Sequence, residues 1–499
     1  MKNLLFTIIL LLFVYTNYAQ LTYEKRLEFE LKDGYGGETI LDFGSDGMIL
    51  RSQKIENLDG EKEIKFDSYS TDLEVEESVS FMIEEDYYIS KTLRTENRIH
   101  TIFRTKKGDY KVHTIRAGSL DQHSASFLLP RTVVIKASLV VGTTIYFNTQ
   151  NKKSFEMYAV DWTNGNVTVI PVSIDGFKWN RVRSLNMQTV EGEDEAILFL
   201  RAVVSKKEAD IYAMHFDGKG NLMRKYRIKE PEGKNFIGFT ASKIGDDHYI
   251  LSGTFSSGSV STSEGLFFAE LEGQNLNYAE FYNFIDLENF FTYLSEKSQE
   301  KIEKKKEKKA NRGQELKVNY FIAEHKVIVL DDGYLFLGEV YYPTYRTEYY
   351  TTVVNGQTVT RTRQVFDGYQ YTHAVLAKFN KYGQMQWDQV FEMYPSYKPM
   401  SVKRFIQIAE GEQDALNLVF SNRSTIVSKS FSYDGEVIYD KTSEPIETNL
   451  EGDQTKQSFS SISYWYDNYF LAYGSQVIKN NEEEKKKRKV YFISKIKFE

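Results

Sequence analysis

The side chains best suited to proton transfer or metal ligation are seven histidines, His100, His113, His123, His215, His248, His325 and His373. No two of them stand at the spacing that puts ligands on one helical face, so no metal site is expected. Cysteine is absent from the 499 residues, which excludes disulfides, thiolate metal sites, cysteine nucleophiles and a lipidated N-terminal cysteine. Asp246-Asp247-His248 has the residue types of an acid–base cluster. Acidic turns recur at Asp331-Asp332-Gly333 and Tyr466-Asp467-Asn468, however, so turn chemistry accounts for it. Gly253–Gly258 and the serines to Ser263 read as a Ser/Gly-rich connection between strands. There is no acidic calcium loop, nucleophile elbow or phosphate-binding glycine loop. No catalytic, metal or cofactor-binding residue is assigned.

Two other segments carry contact chemistry. Tyr341, Tyr342, Tyr345, Tyr349, Tyr350, Tyr369 and Tyr371 crowd residues 341–371, and Asn355-Gly356 between alternating runs signals a hairpin. Tyrosine offers rigid contact area with a polar tip, which suits a protein or glycan interface. The same tyrosines could instead pack across their own strands. Upstream, Leu287, Phe290, Phe291 and Leu294 follow helical period from a capping Asp286, and Lys301–Arg312 holds seven basic and two acidic residues before Gly313. One basic helix within 286–318 is therefore expected. Lys304, Lys305 and Lys308 are its candidate contacts for an anionic polymer, and Glu300–Lys304 pairing on a solvated helix is the competing account. No aromatics interleave with the lysines, which argues against nucleic acid, as does a formal charge of −7. A second charged run, Glu482–Lys489, reads as a solvated hairpin tip.

The elements that must position these segments are strands. Short alternating runs rich in Val, Ile, Tyr, Phe and Thr end in Gly/Asp/Asn clusters, and one hairpin recurs. Its turn glycines are Gly165, Gly220, Gly273, Gly383 and Gly435, with a weaker copy at 101–108 ending in Gly108. Gly108, Gly165, Gly220 and Gly273 follow one another at 57, 55 and 53 residues, and Gly383 to Gly435 is 52. The interval from Gly273 to Gly383 is 110, about twice the period, and contains both insertions. A repeat of this length with about four strands is a β-propeller blade. The expected fold is all-β, a propeller of seven or eight four-stranded blades. Eight is preferred, counting 62–80 as the first hairpin. The lone strand at 21–31 is expected to pair with the lone strand at 490–498 and close the ring.

Asp161-Trp162-Thr163-Asn164-Gly165 and Gly383-Gln384-Met385-Gln386-Trp387 resemble blades of bacterial propellers, including those of the quinone-dependent dehydrogenases. The resemblance covers the repeat alone. It implies a fold and no activity, because the cofactor site of those enzymes maps onto no residue here.

Met1-Lys2-Asn3, an apolar run from Leu4 to Tyr15 and a small residue at Ala19 have the layout of a secretory signal peptide cleaved after Ala19. The run is too short to span a bilayer. Residues 20–499 are read as a single exported β-propeller domain, periplasmic or secreted, from a bacterial cell envelope. The leading expectation is a non-catalytic binding or scaffolding module for a protein or glycan partner. The alternative is a hydrolase or lyase that acts on envelope or environmental polymers through funnel carboxylates.

Overall fold

The computed structural model describes residues 21–31, 35–54, 60–150, 154–354, 357–411 and 414–498. The expected signal segment and the Asn355-Gly356 turn lie outside the described residues. The described residues are all-β and form eight antiparallel sheets, each built on four strands, an architecture consistent with a β-propeller. The chain divides into two compact units.

The unit Asp33–Phe405 holds six sheets, over residues 35–84, 88–128, 134–171, 182–228, 235–283 and 321–392. Each is a meander in chain order, and the sixth carries one additional short strand, Ile328–Leu330. From the second sheet to the sixth, the first strands of successive sheets lie against one another. Apolar clusters fill the space between adjacent sheets, from Ile49 and Phe103 between the first two to Phe268 and Phe336 between the last two. The sequence encodes this placement. Second strands such as Glu195–Val203 carry apolar residues on both faces and are buried almost throughout, the charged Glu195 and Arg201 included. Fourth strands such as Leu222–Ile228 alternate, as a half-solvated edge should.

The unit containing Ile406–Glu499 and the N-terminal residues holds the other two sheets. In one of them Leu21–Glu30 pairs antiparallel with Lys487–Phe498, with Leu21 opposite Phe498 and Glu30 opposite Val490. The expected pairing of N- and C-terminal strands is present. Arg488 bonds both Glu28 and Asp453, tying the first strand to the strand that opens the sheet. The 482–489 run straddles the connection between Tyr469–Lys479 and Lys487–Phe498.

Two expectations need correction. Gly108 turns the second strand of its sheet into the third, whereas Gly165, Gly220, Gly273 and Gly383 turn third strands into fourth. The equivalent residue in the second sheet is Gly118, which brings the interval to Gly165 down to 47. The inserted helix does not begin at Asp286. Phe284–Asp286 is a 3-10 turn, residues 287–294 form further turns, and helix α1 spans Glu296–Ala310, with Ser295 extended at its N-cap. The apolar stripe packs without becoming helical because buried Asp388 captures the backbone there. Its carboxylate accepts the Glu288 and Asn289 N–H groups at 2.9 and 2.8 Å, and Phe290 is buried against Phe284 at 4.5 Å. Gly313 follows the helix at φ +64, as expected of a C-terminal cap. Among the described residues no helix is long and apolar enough to cross a membrane.

Candidate binding ribbon

The second and third strands of the sixth sheet, Gly333–Val354 and Gln357–Asn380, pair continuously apart from two register shifts, from Gly333–Asn380 to Val354–Gln357. Their neighbours are far shorter. Phe321–Glu324 pairs only as far as Tyr341, and Met385–Glu392 pairs only with residues 373–379. Beyond Tyr341 and Tyr371 the strands run on as a two-stranded ribbon of roughly 45 Å, at about 3.3 Å per residue. Thr, Tyr and Val dominate it, as β-propensity requires.

Such a ribbon is marginal in water by itself, so its root matters. Tyr371 is 1% exposed, and its hydroxyl donates to the Lys403 carbonyl at 2.7 Å while accepting the Lys403 N–H at 2.8 Å. Burial, helped by nearby Glu339, pushes that phenol well above its usual range, so it stays protonated. Phe405 and Tyr341 flank its ring at 4.9 and 5.4 Å. Gly368 has φ +94, and a Cβ there would stand 2.7 Å from the Lys398 carbonyl oxygen, which reserves the position for glycine. The next residue, Tyr369, donates its N–H to the Pro399 carbonyl at 2.9 Å.

The register shift between Pro343 and Tyr345 sets the faces of the outer ribbon. Directly opposed residues of an antiparallel pair share a face. One face carries Arg346, Glu348, Tyr350, Arg361 and Arg363, with Glu348 bonded by both Arg346 and Arg363 at 2.9 Å. The other carries Tyr345 opposite Phe366, Thr347 opposite Gln364, Tyr349 opposite Thr362, Thr351 opposite Thr360 and Val353 opposite Thr358. That second face has no charge along its length. Tyr349 is 75% exposed on it, and Tyr345 and Val353 are exposed as well. At the root it runs into a cleft of about 300 Å³ lined by Phe321, Tyr341, Pro343, Tyr345, Phe366 and Tyr369. Their rings meet edge to face, Tyr341 to Tyr369 at 5.2 Å and Phe366 to Tyr369 at 5.0 Å.

The expected tyrosines therefore separate into three groups. Tyr341, Tyr345, Tyr349 and Tyr369 share the uncharged face and its cleft. Tyr342 and Tyr350 are exposed elsewhere on the ribbon, and Tyr371 is a root residue withdrawn from the surface. Phe321 and Phe366 complete the cleft, and neither is a candidate from sequence. Phe366 lies in the alternating run 358–366 and was legible there, but Phe321 belongs to another strand. Lys304, Lys305 and Lys308 are exposed on α1, and among the described residues no hydrogen bond or ion pair links α1 to the ribbon. The insertions do meet the sheet close together. Tyr293 stacks on His373 at 3.8 Å, two residues from Tyr371.

Each histidine bonds a neighbouring group. His100 bonds Thr114, His113 bonds Ser124 and His215 lies between Glu195 and Tyr226. Burial lowers His100 and His113 to about 4 and His373 to about 3, so all three are neutral at pH 7. Asp246, Asp247 and His248 diverge. Asp246 is fully exposed, Asp247 pairs with Arg224, and His248 bonds Glu270 at 2.7 Å. Ser256 and Ser257 are held by Glu264, which Lys317 also bonds. Among the described residues no three His, Asp or Glu side chains converge as a metal site would require.

No family model matches the chain, and no curated protein matches it. Similar solved structures include the polysaccharide lyase Uly1, with 8% identity, 96% of this chain and 100% of that one covered, and a TM-score of 0.39. The periplasmic gluconolactonase of Pseudomonas aeruginosa has 10% identity, 82% and 96% coverage and a TM-score of 0.37. Prolyl oligopeptidase B from Galerina marginata has 10% identity, 90% and 56% coverage and a TM-score of 0.37.

Proposed function

We propose that this chain is an exported, non-catalytic binding module of a bacterial cell envelope whose ribbon engages a protein partner. The observation that carries the reading is the uncharged face Tyr345–Tyr349–Val353, which projects past the sheet and opens at its root into the aromatic cleft. Exposed aromatic area of this kind is uncommon without a use, and aromatics are the residues that dominate protein interfaces. Among the described residues, no strand pairs with the outer edges of the ribbon beyond residues 341 and 371, which offers backbone groups to a partner strand. Export rests on the N-terminal pattern of charge, short apolar core and Ala19.

The test is affinity capture from envelope extract with the wild-type protein and a Tyr345→Ser/Tyr349→Ser variant. Both side chains lie on the outer ribbon, so the fold should survive their replacement. A protein retained by the first and lost by the second supports the reading. Equal retention of every protein refutes it.

A second reading, a hydrolase or lyase acting on envelope polymers, has one observation in its favour. Burial raises the Glu324 carboxyl and pushes Glu230 up to about 7, and each senses the Arg201 guanidinium. Loss of polymer turnover in Glu324→Gln and Glu230→Gln, with the ribbon intact, would move the function there.

A further inference from the structure

The fourth sheet sets two like charges in register. Arg183, on the first strand Val182–Thr189, stands directly opposite Arg201 on the second strand Glu195–Val203. Directly opposed like charges destabilise a sheet. Here nothing on the two strands neutralises them. Arg201 is buried, and its Nη atoms donate to the carbonyls of Val260, Phe236 and Ile237 at 2.6, 2.5 and 2.5 Å, while its buried Nε has no partner. Arg181 donates once, to the Val204 carbonyl at 3.1 Å. Among the described residues, Arg183 and Lys206 make no hydrogen bond or ion pair through their side chains.

These four cations line one cavity of about 920 Å³, and no carboxylate lines it. Its remaining wall is neutral, chiefly Val203, Val204 and Val260. Burial pushes Arg201 down to about 10 against the pull of Glu230 and Glu324, and the facing Arg183 adds a smaller push in the same direction as burial. A cationic cavity of this kind is unusual in a chain whose formal charge is −7. Its volume is that of a small-molecule site and exceeds what a lone phosphate needs.

We propose that this cavity binds a small organic oxyanion, a phosphomonoester or a dicarboxylate, whose anionic group bridges Arg183 and Lys206 and whose body lies on the valines. Arg183 supplies the planar fork that matches two oxygens, and Lys206 supplies a mobile point charge. Arg201, locked by backbone carbonyls, backs Arg183 with a fixed positive field. Binding would relieve the repulsion that the strand register imposes. The cavity is independent of the ribbon and of the partner proposed for it.

The experiment is titration calorimetry on the purified protein with three probes, inorganic phosphate, phenyl phosphate and phthalate, with the thermal midpoint followed in parallel. The expected result is saturable binding of phenyl phosphate or phthalate, tighter than inorganic phosphate and weakened by salt. Which of the two organic probes binds decides between phosphate and carboxylate chemistry. Arg183→Ala should lower the affinity by about tenfold or more, Lys206→Ala by less, and Arg183→Lys should fall between. Without ligand, Arg183→Ala should melt no lower than wild type, because an opposed charge has been removed; a misfolded variant would show itself there. Two results overturn the proposal: no binding of either organic probe at millimolar concentration, or equal binding by Arg183→Ala and wild type.

Discussion

The ribbon 341–371 and helix α1 with its leading turns both interrupt the sixth repeat, and they are held in different ways. The ribbon is rooted by a phenol. Tyr371 gives and accepts hydrogen bonds with one residue, Lys403, inside a nest of aromatic rings, and burial keeps the hydroxyl protonated. The other insertion is rooted by a carboxylate, Asp388, which accepts two backbone N–H groups in a buried site. Beyond the roots the contrast deepens. The ribbon carries exposed aromatics along an uncharged face, whereas α1 has no buried residue and projects lysines. One surface exposes aromatic rings and the other exposes charged side chains.

The largest effect that would break this contrast is at the ribbon root. Tyr371→Ala removes a buried ring and leaves the Lys403 N–H and carbonyl without their partner. It should cost about 3–5 kcal/mol in denaturant unfolding. A loss below about 1 kcal/mol, the scale of one ordinary hydrogen bond, would mean that the ribbon is rooted elsewhere. Asp388→Ala should cost less, about 1–3 kcal/mol, because two backbone donors lose their acceptor but little apolar volume goes. It should also release amide exchange at Glu288 and Asn289 while exchange along the ribbon stays as in wild type.

The roots should also differ in their response to pH. Burial raises the Asp388 carboxyl above its ordinary value. A raised folded pKa means a contribution that is full below the ordinary Asp value and is lost as pH rises through the folded one. Relative to Asp388→Asn, the wild type should therefore lose stability as pH rises out of the ordinary carboxylate range. Tyr371 should contribute equally from acid to neutral pH, since its phenol does not ionise there. Parallel slopes for wild type and Asp388→Asn across that range would contradict the assignment. The smallest effect belongs to α1. Lys304→Gln, Lys305→Gln and Lys308→Gln together should change stability by no more than about 0.5 kcal/mol, because their one ion pair, Lys304 to Glu300 at 3.5 Å, is exposed.

Much of this architecture was legible in the sequence because glycine reports backbone geometry directly. Gly165, Gly220, Gly273, Gly383 and Gly435 all have positive φ at the turns where the repeat placed them. The preference for eight over seven came from counting these hairpins with 62–80 as the first, and the partnership of the terminal strands came from each being a lone strand at its end of the chain. Gly108 has the same signature at a different turn of its sheet, so spacing alone could not phase the second repeat. The start of α1 was not legible, because an apolar stripe of helical period is equally satisfied by turns when a distant carboxylate, Asp388, takes the backbone N–H groups. In the ribbon, the alternation predicted the strands. The sorting of tyrosines among uncharged face, charged face and root depended on the register shift after Pro343, which no local pattern announces. The opposition of Arg183 and Arg201 was hidden for the same reason. It depends on pairing across a second shift, between Ser184 and Asn186.

That the uncharged face of the ribbon is a contact surface, and that exposure alone does not make one, is a proposal. It is tested most directly by photo-crosslinking in envelope extract, with a photoreactive phenylalanine placed at either of two equally exposed tyrosines of the same sheet. Tyr349 is 75% exposed on the ribbon face, and Tyr382 is 76% exposed in an ordinary strand turn. A discrete crosslinked protein is expected from position 349, abolished by Tyr345→Ser, and none from position 382. The same products from both positions, or none from 349, would contradict it.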